Sequence, residues 1–460
     1  MKLSVAMIVK NESAMLKDCL ESVKDADEIV VVDTGSEDNT VDIAKSYTDK
    51  VFTDYKWEDH FAKARNHAIS KCTGDWILSI DADDRLAPGG IQKIRDMIAK
   101  HPMEYSFGIE FREQTGCSRH TIPYLYRRCK EVFFKGAAHN YLSIPSTKNV
   151  DTYITYGYSP AHKKDPNRTL RILTKAVNED RTKPREMYYL AREYRYRNDW
   201  ITALYWTNEY LKIATWNQEK ADAYLMKAHS LWHLQRGEEA RSACLEAIKI
   251  NTNFKEALLL MAHMTGPINR EKWLFMAELA DNSNVLFVRD KPEKTAEYYE
   301  KVNDTEPRYD EIYKEVGRIV GRGDVLDIGC GKGALAPFIK NYHGFDMVQN
   351  PYEVADIYTY DYSKRHYDSY ILLEVLEHLH RDIEVLSQLP GFYHIVFSVP
   401  SFDCPSHVRM FTQDTVRWRY RNIIEFQNMI RFNFNQKIRK WQVDAPQSRD
   451  YILLCIGRKI

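Results

Sequence analysis

Short apolar runs separated by amphipathic segments open the chain, and this pattern predicts strands that alternate with helices. Strands are predicted at Leu3–Val9, Glu28–Val32 and Trp76–Ile80, and helices at Ser13–Val23 and Val41–Ser46. Strands and helices in alternation favour a mostly parallel sheet that is covered on both faces. An α/β domain is therefore expected at the start of the chain.

A helical pattern follows between residues 186 and 262, with small residues that recur 37 positions apart. The recurring pairs are Ala191 with Ala228, Ala203 with Ala240, and Tyr210 with Ala247. A shared offset predicts stacked helical hairpins whose helices approach closely at the small residues. The pattern resembles tetratricopeptide (TPR) repeats, and an ordinary helical bundle is the alternative.

A second alternating pattern occupies the end of the chain. Its predicted strands are Asp324–Ile328, His343–Asp346, Ile357–Asp361, Tyr367–Leu373 and Tyr393–Val399, followed by an antiparallel pair at Lys437–Val443 and Tyr451–Arg458. Because 460 residues exceed what one core supports, we expect an α/β multidomain protein. The predicted domains are 1–175, 176–265 and 308–460, with a linker at 266–307.

Net charge argues against broad nucleic-acid binding. The chain has 65 basic and 65 acidic residues, so it lacks the positive field that non-specific binding to nucleic acid requires. A local basic stretch remains as an alternative phosphate site or as a solvated helix start: His162, Lys163, Lys164, Arg168 and Arg171.

Cysteine use and hydropathy predict a soluble cytoplasmic protein. The eight cysteines show no Cys-x-x-Cys pair and no regular framework, which fits reduced thiols inside a cell. Leu3–Val9 is followed at once by charged residues and is too short for a signal peptide. No run approaches the roughly 20 apolar residues of a transmembrane helix.

Two aspartates at the end of a predicted strand are the first candidate for chemistry. Asp81 and Asp83 are two positions apart in an extended segment, so both carboxylates can face one divalent cation. Such a cation offsets the charge on a departing diphosphate. Asp33 follows an earlier strand, where it can accept hydrogen bonds from a base or ribose, although Asp-Thr-Gly-Ser is also ordinary turn chemistry.

Further motifs occur around these acids in a fixed order: Met7–Glu12, Trp57, Phe61–Asn66 and Gly74–Trp76. Together they resemble family 2 glycosyltransferases of the GT-A fold, in the branch that contains the sublancin S-glycosyltransferase and the lipopolysaccharide core glucosyltransferases. The resemblance implies a UDP-sugar donor with Mn²⁺ or Mg²⁺ bound at Asp81 and Asp83. It also implies nucleotide-sugar contacts from Asn11, Asp33, Arg65, Asn66 and Asp81.

The same branch has a Gly-x-x-His-Glu segment that supplies a late metal contact. Gly136–Asn140 matches it except at the last position, so the resemblance makes His139 a metal ligand, with a structural histidine as the alternative. Asn140 replaces the glutamate, and an amide cannot accept the acceptor's proton. The base is then another residue, such as Glu110 or Glu113, or the acceptor needs little activation.

A glycine-rich turn after the strand Asp324–Ile328 is the second candidate site, with glycines 329, 331 and 333. Glycines allow backbone to approach a ligand closely. With Asp327, Asp346 and Asp361 in order, the segment resembles class I S-adenosylmethionine-dependent methyltransferases, which are Rossmann-like. The resemblance places Asp346 at the ribose hydroxyls and Asp361 near the adenine. A nicotinamide-binding Rossmann unit is the rival.

Acidic and imidazole side chains follow the next two strands of this region: Glu374, Glu377, His378 and His407. The set resembles that of RNA terminal 2'-O-methyltransferases, which implies that these residues converge on a cation. Cofactor contact and helix capping are the simpler alternatives. His378 or His407 can also act as the general base for a hydroxyl acceptor.

Taken together, these resemblances imply a bifunctional transferase that moves a sugar and a methyl group. The acceptor is left open among a peptide, a glycan and a lipid-linked sugar, and the repeats offer a surface for a protein partner. A TPR scaffold with a single active transferase domain is one alternative. A glycosyltransferase that modifies nucleic acid is the other, and the net charge of zero disfavours it.

Overall fold

A computed structural model of the chain describes residues 1–113, 118–157, 159–160, 165–280, 288–289, 294–301, 307–391, 393–402, 404, 406–435, 439–443 and 450–460. The predicted basic residues His162, Lys163 and Lys164 lie outside the described residues. The chain forms two compact units, Met1–Ala257 with Asn282–Arg289, and Leu258–Asp281 with Asp290–Ile460. In the described residues, no helix is long and apolar enough to cross a membrane.

A nine-stranded mixed sheet forms the centre of the first unit, in the order β3-β2-β1-β4-β7-β6-β10-β5, with β11 paired to β7. A separate ribbon joins β8 to β9. The strands are β1 Leu3–Val9, β2 Glu28–Asp33, β3 Val51–Phe52, β4 Trp76–Ser79, β5 Arg85–Leu86, β6 Ser106–Glu113, β7 Ser118–Arg127, β8 Phe134–Lys135, β9 Tyr141–Leu142, β10 Asn149–Tyr156 and β11 Val288–Arg289.

Strands β1 to β4 pair in parallel, and β6 pairs in parallel with β10 elsewhere in the same sheet. The side chains of β1, β2 and β4 are almost all buried, because helices cover both faces of a parallel sheet. The covering helices are α1 Leu16–Val23, α2 Thr40–Lys45, α3 Phe61–Lys71 and α4 Gly90–Lys100. In register, Val9 lies opposite Asp33, so the loops after β1 and β2 meet at one edge of the sheet. The predicted strands and helices of this region are confirmed to within three residues at their ends.

Helical hairpins follow the sheet. The helices are α5 Arg168–Glu179, α6 Pro184–Tyr196, α7 Trp200–Ile213, α8 Asn217–His233, α9 Gly237–Ile250 and α10 Lys255–Met264. Residues 37 positions apart fall at equivalent places: Ala191 in α6 and Ala228 in α8 are both fully buried, as are Ala203 in α7 and Ala240 in α9. The predicted repeat of helical hairpins is therefore confirmed.

The second unit contains an eight-stranded sheet in the order β14-β13-β12-β15-β16-β19-β17-β18. Its strands are β12 Asp324–Ile328, β13 Asn341–Asp346, β14 Glu353–Val354, β15 Ser369–Leu373, β16 His394–Pro400, β17 Ile424–Asn435, β18 Lys440–Gln442 and β19 Tyr451–Lys459. Its helices are α11 Pro267–Leu279, α12 Ala296–Lys301, α13 Asp310–Val320, α14 Asp382–Gln388 and α15 Gln413–Tyr420, with short 3₁₀ turns at Pro307–Tyr309, Ala336–Phe338 and Leu376–His378. Strands β12 to β16 pair in parallel, and β17 to β19 pair antiparallel.

One strand prediction in this unit is wrong. Ile357–Asp361 is not a strand; the strand next to β13 is β14 at Glu353–Val354. The ring of Tyr360 instead stacks on Phe345 of β13, with the centroids 4.0 Å apart. Apolar side chains at these positions therefore cover the core from a loop and not from a strand.

The predicted antiparallel pair at the end of the chain is corrected in its partner. Tyr451–Lys459 pairs with β17 at Ile424–Asn435, and the predicted partner contributes only the short edge strand Lys440–Gln442. The register of β17 shifts between Phe426 and Asn428. A shift of this kind breaks the alternation of apolar and polar positions, so the strand has no clear period in the sequence.

Candidate functional site

A cavity of about 1270 Å³ lies in the first unit where the parallel strands end. Asn11 and Glu12 after β1, Thr34 after β2, and Asp81 and Asp83 after β4 all line it. The ends of parallel strands meet at the same edge of a sheet, so the fold brings together residues that are distant in the chain.

Asp81 is held by a guanidinium from the neighbouring helix. Nη2 of Arg65 in α3 donates to both carboxylate oxygens of Asp81, at 2.7 and 3.0 Å. The Arg65 side chain is buried and its guanidinium lies over the rings of Tyr124 and Phe134, at 5.3 and 5.5 Å from their centroids. Arg65 therefore fixes the orientation of Asp81, whose side chain stays 41% exposed at the cavity.

Carboxylates crowd the floor of this cavity. Asp83 is buried, and its Oδ2 accepts a hydrogen bond from the Ser159 backbone N–H at 3.1 Å. Burial, together with the charges of Asp83 and Asp81, raises the pKa of Glu12 to about 7. Burial likewise raises the pKa of Asp84 well above its ordinary value. Oxygen ligands in excess of nearby cations suit a hard divalent ion such as Mg²⁺ or Mn²⁺.

His139 does not lie where a third metal ligand beside Asp81 and Asp83 would be expected. Its backbone has a φ of 48°, and its ring stacks on Tyr189 of α6 with the centroids 3.9 Å apart. Burial, together with the charges of Arg192 and Arg185, lowers the pKa of His139 to about 3, so the imidazole is neutral. Within the described residues, Asp81, Asp83 and His139 do not form a group whose ligand atoms all lie within 4.8 Å of one another.

Asn11 lines the cavity directly. It has a φ of 57°, and its side-chain oxygen accepts a hydrogen bond from the Glu37 N–H at 2.8 Å. Asp33 does not line the cavity. Its carboxylate accepts hydrogen bonds from the N–H groups of Gly35 and Ser36, both at 3.0 Å. Thr34, which the sequence argument passed over, faces the cavity in its place.

Asn66 also acts from behind the cavity wall. Its side chain donates to the Phe134 carbonyl at 3.0 Å and accepts from the Phe134 N–H at 2.8 Å, which pins β8 to α3. Glu110 and Glu113, the predicted alternatives for a base, are not among the residues that line the cavity. Glu12 does line it, and it closes the Met7–Glu12 motif that the sequence argument had already singled out.

Helix α6 supplies a wall that the sequence argument missed. Arg185, Tyr189, Arg192 and Tyr196 line the cavity, and their spacing of four, three and four residues puts them on one face of the helix. Alternating arginine and tyrosine at helical spacing was the available signal.

A second cavity, of about 1090 Å³, lies in the second unit at the ends of β12, β13 and β15. Most residues predicted for the second site line it: Asp327, Gly329, Gly331, Asp346, Glu374, Glu377, His378 and His407. Gly333 belongs to the same turn, with a φ of 79°.

The glycine turn after β12 is tied to the neighbouring strand. Oδ2 of Asp346 accepts a hydrogen bond from the Gly331 N–H at 2.8 Å. Gly329 has a φ of 75°, and a Cβ there would lie 2.7 Å from a methyl group of Val375. Burial, with the nearby charge of Asp346, raises the pKa of Asp327 to about 7, although the Tyr342 hydroxyl donates to it at 2.7 Å. The turn is therefore packed closely against β13 and Val375, and glycine is the residue that fits at position 329.

Asp361 is not brought to this cavity. It lies in an exposed turn, where its Oδ1 accepts hydrogen bonds from the Ser363 N–H and hydroxyl, at 3.1 and 2.6 Å. The predicted strand that would have aimed Asp361 at the cofactor does not form. Asp356 and Tyr358, which precede it, line the cavity.

Three metal-ligating side chains meet in the second cavity. Ligand atoms of Glu377, His378 and His407 all lie within 4.8 Å of one another. Nδ1 of His378 lies 3.0 Å from the Ser406 carbonyl, and Nδ1 of His407 lies 3.0 Å from the Phe402 carbonyl. A carbonyl only accepts, so each Nδ1 carries the proton and each Nε2 is left as the basic nitrogen.

Glu377 is the unusual member of this group. It is fully buried, and neither of its carboxylate oxygens has a hydrogen-bond partner within the described residues. Burial and the charge of Glu374 raise the pKa of Glu377 well above its ordinary value. Glu374, with a φ of 55°, directs its Oε1 to the Ser398 hydroxyl at 2.7 Å, outside the group of three. A buried acid beside two imidazoles is costly unless a cation or a proton joins it.

Comparison with known proteins agrees with the first site. Residues 4–147 match the family model Glycosyl transferase family 2. The SPbeta prophage-derived glycosyltransferase SunS of Bacillus subtilis is 31% identical over 205 residues, which are 42% of this chain and 49% of SunS. The chain spans between a third and a half of the length of the curated relatives it matches first.

Two solved structures are more distant. Staphylococcus aureus TarS 1-349 in complex with UDP-GlcNAc is 16% identical, with a TM-score of 0.31, covering 56% of this chain and 92% of that one. A putative methyltransferase from Bacillus halodurans is 13% identical, with a TM-score of 0.24, covering 32% of this chain and 98% of that one. Scores this low do not establish a shared fold.

Proposed function

We propose that the chain is a bifunctional transferase that moves a sugar from a nucleotide-sugar donor, a UDP-sugar, and methylates with S-adenosylmethionine. The observation that carries the proposal is the pair Asp81 and Asp83 at the end of β4, lining the cavity of a family 2 glycosyltransferase domain. In the proposed division, residues 1–175 transfer the sugar, 176–265 form the repeats and 308–460 transfer the methyl group.

Asp83 and Asp81 are the residues that would hold Mn²⁺ or Mg²⁺ in the first cavity. A bound cation would stabilise the negative charge that develops on the departing diphosphate. Arg65 keeps Asp81 in one orientation, and it also balances part of the carboxylate charge before the donor arrives. Asn11 and Thr34 lie where the nucleoside would bind, at the edge where β1 and β2 end.

A donor screen tests the sugar-transfer half. UDP release from a panel of UDP-sugars needs no acceptor, because water can replace it. We expect one donor to be hydrolysed with Mn²⁺ or Mg²⁺, and Asp83→Asn to reduce the rate by at least about 100-fold, as expected for an interaction made in the transition state. Asp151→Asn, an exposed aspartate on β10, is the matched control. No release from any donor would reject this half.

The second cavity supports methyl transfer. Gly329, Gly331 and Asp327 would face the amino-acid end of S-adenosylmethionine, and Asp346 its ribose hydroxyls; the cofactor supplies the methyl group. Calorimetry with S-adenosylhomocysteine tests this, and Asp346→Ala should weaken binding by at least about tenfold. NADH is the comparison ligand, since preference for it would favour the nicotinamide alternative.

A cation held by Glu377, His378 and His407 is a second proposal for this cavity, favoured by the two carbonyl-fixed imidazoles and the unpartnered carboxylate. The cation would bind an acceptor hydroxyl and lower its pKa. Without a cation, the Nε2 of His378 or His407 is placed to accept that proton. Co²⁺ binding by the wild type and by His407→Ala distinguishes the two roles.

The economical link between the two halves is that the methyl group goes to the transferred sugar or to the same acceptor. Purified protein with radiolabelled S-adenosylmethionine tests this link. We expect the acceptor to be labelled only after glycosylation. Equal labelling with and without glycosylation would reject the link but leave both activities standing.

A further inference from the structure

The first cavity is larger than a donor alone requires. Ligand pockets usually enclose about 300–1,000 Å³, and this one encloses about 1270 Å³. The carboxylates and the strand ends line one side of the cavity. The side formed by α6 has no role in holding a nucleotide or its cation in the proposed function, so it is available to a second substrate.

Four side chains of α6 make this wall. Arg185, Tyr189, Arg192 and Tyr196 project from one face, while Tyr188 and Ala191 on the other face are fully buried in the repeats. The helix is therefore anchored by its apolar side, and its cavity side is free to be specialised. The His139 ring stacks on Tyr189, and this contact joins the wall to the loop that contains His139.

Guanidinium groups and aromatic rings alternate along the wall. Arg185 lies over the rings of Tyr141, Tyr189 and Trp216, at 4.9, 5.1 and 6.0 Å from the centroids. Arg192 lies over Tyr189 at 5.3 Å and donates to the Tyr196 hydroxyl at 2.7 Å. These contacts hold the guanidiniums in place before a ligand arrives.

The wall presents exposed aromatic rings beside a fixed guanidinium. Nη1 of Arg185 donates to Glu219 and Nη2 donates to the Tyr189 hydroxyl, both at 3.2 Å. Tyr141, Tyr196 and Trp216 are 37%, 58% and 44% exposed, which is high for rings that line a cavity. Exposed rings beside a guanidinium suit a ligand with both apolar and polar faces.

The composition of the wall selects among acceptor classes. From Tyr156 onward, every described lining residue is aromatic, charged or threonine. Aliphatic side chains line other parts of the cavity, at Ile122, Leu142 and Ile144, so the wall differs from them in composition. A sugar ring presents C–H groups on its face and hydroxyls around its edge, so it matches aromatic rings interleaved with guanidinium donors.

We propose that the α6 face, with Tyr141 and Trp216, is the acceptor subsite of the sugar-transfer cavity and that its acceptor is a saccharide. This inference rests on the proposed sugar transfer and adds the acceptor class to it. The saccharide would stack on the exposed rings, with its hydroxyls toward Arg185 and Arg192.

The test uses the full chain with UDP and Mn²⁺ bound, and cello-, chito- and galacturonic acid oligosaccharides as probes. Calorimetry should detect binding of at least one series to the wild type. The double variant Tyr196→Ala with Trp216→Ala should weaken it by about 30-fold, because both exposed rings that would stack on the saccharide are removed. Tyr205→Ala is the matched control, since Tyr205 is 47% exposed on α7 and does not line the cavity. Thermal unfolding of each variant confirms that it is folded.

Three results would overturn the inference. One is a wild type that releases UDP from a donor but binds none of the saccharides. Another is a double variant that loses UDP affinity in parallel with saccharide affinity, since that would place the wall at the donor. The third is transfer of radiolabelled sugar to a peptide in preference to the saccharides. Failure to release UDP from any donor would reject the proposed function itself, and this result is distinct from all three.

Discussion

The imidazole of His139 lies nearly parallel to the ring of Tyr189, with 16° between their planes and 3.9 Å between their centroids. The imidazole belongs to a loop that lines the first cavity, and the Tyr189 ring belongs to helix α6. The family resemblance gives His139 a role at the metal. The stacking gives it a second role, which is to join the loop to α6.

His139→Ala and His139→Phe separate these two roles. His139→Ala removes a buried ring, and we expect a loss of about 2–3 kcal/mol in the free energy of unfolding, measured with urea. His139→Phe keeps an aromatic ring against Tyr189 and should restore most of that stability. If His139 also binds metal, the phenylalanine variant stays deficient in metal-dependent UDP release. Full activity in His139→Phe would contradict the metal role.

The double hydrogen bond from Arg65 to Asp81 predicts that charge alone is insufficient at position 65. Arg65→Lys keeps the positive charge but loses the planar guanidinium, which lies over the rings of Tyr124 and Phe134 and places Nη2 at both oxygens of Asp81. We expect UDP release to fall by at least about tenfold, with kcat affected more than KM for the donor. Arg112→Lys on β6 is the control, since Arg112 lies outside the cavity lining. Unchanged kcat in Arg65→Lys would refute the argument.

Glu28 predicts a pH-dependent contribution to the stability of the first unit. Burial alone would raise its pKa, but hydrogen bonds from Lys50, Ser4 and Thr73 outweigh burial and hold the pKa well below 4.5. A lowered pKa means that the stabilising charge is present above pH 4.5 and is lost as the pH falls through the folded-state pKa.

Glu28→Gln should therefore destabilise the protein by about 2–4 kcal/mol at pH 7 and by progressively less below pH 4.5. Urea unfolding of both proteins across pH 3–7 measures the difference. Glu37→Gln changes an exposed acid and should change stability little at any pH. A difference that grows on acidification would show the sign to be wrong.

In the group of Glu377, His378 and His407, we expect Glu377 to favour metal binding and to lower the stability of the metal-free protein. The wild type should bind one Co²⁺ per chain, with visible absorption from the bound ion. His407→Ala should weaken binding by at least about tenfold. Glu377→Gln should also weaken it, yet raise the unfolding temperature of the metal-free protein, because it removes a buried carboxylate that has no hydrogen-bond partner within the described residues.

His380→Ala is the matched control for this experiment, since His380 is exposed and outside the group. Equal Co²⁺ binding by all four proteins would eliminate the site. If the wild type binds no Co²⁺ while S-adenosylhomocysteine still binds, His378 and His407 remain as bases only.

Regular secondary structure was predictable from the sequence where one period dominated. Strands β1, β2, β4 and β12 and the repeats followed from apolar runs and from a fixed 37-residue offset. Predictions failed where tertiary contacts replaced the local period. Tyr360 stacks on Phe345 instead of joining a strand, and a register shift after Phe426 disguises β17.

The sites show the same limit. Strand-end acids such as Asp81 and Asp83 could be placed because their position depends on one strand. Asp33 and Asn66 were expected to face the donor, yet each forms hydrogen bonds to backbone behind the wall. The local sequence of α6 does not show which side of the helix faces a cavity. The cavity is formed with residues more than 100 positions earlier, at Asp81 and Asp83, so the α6 wall could not be predicted.

Helix α6 would give the proposed acceptor subsite a route for evolutionary change. Its buried face is committed to the repeats, and the carboxylates of the proposed donor site belong to a different part of the chain. With the acceptor on this wall, point mutations at positions 185, 189, 192 and 196 would redirect the sugar to a new recipient while purifying selection preserves the donor chemistry. Lineages that differ in recipient should then have diverged at these four positions first.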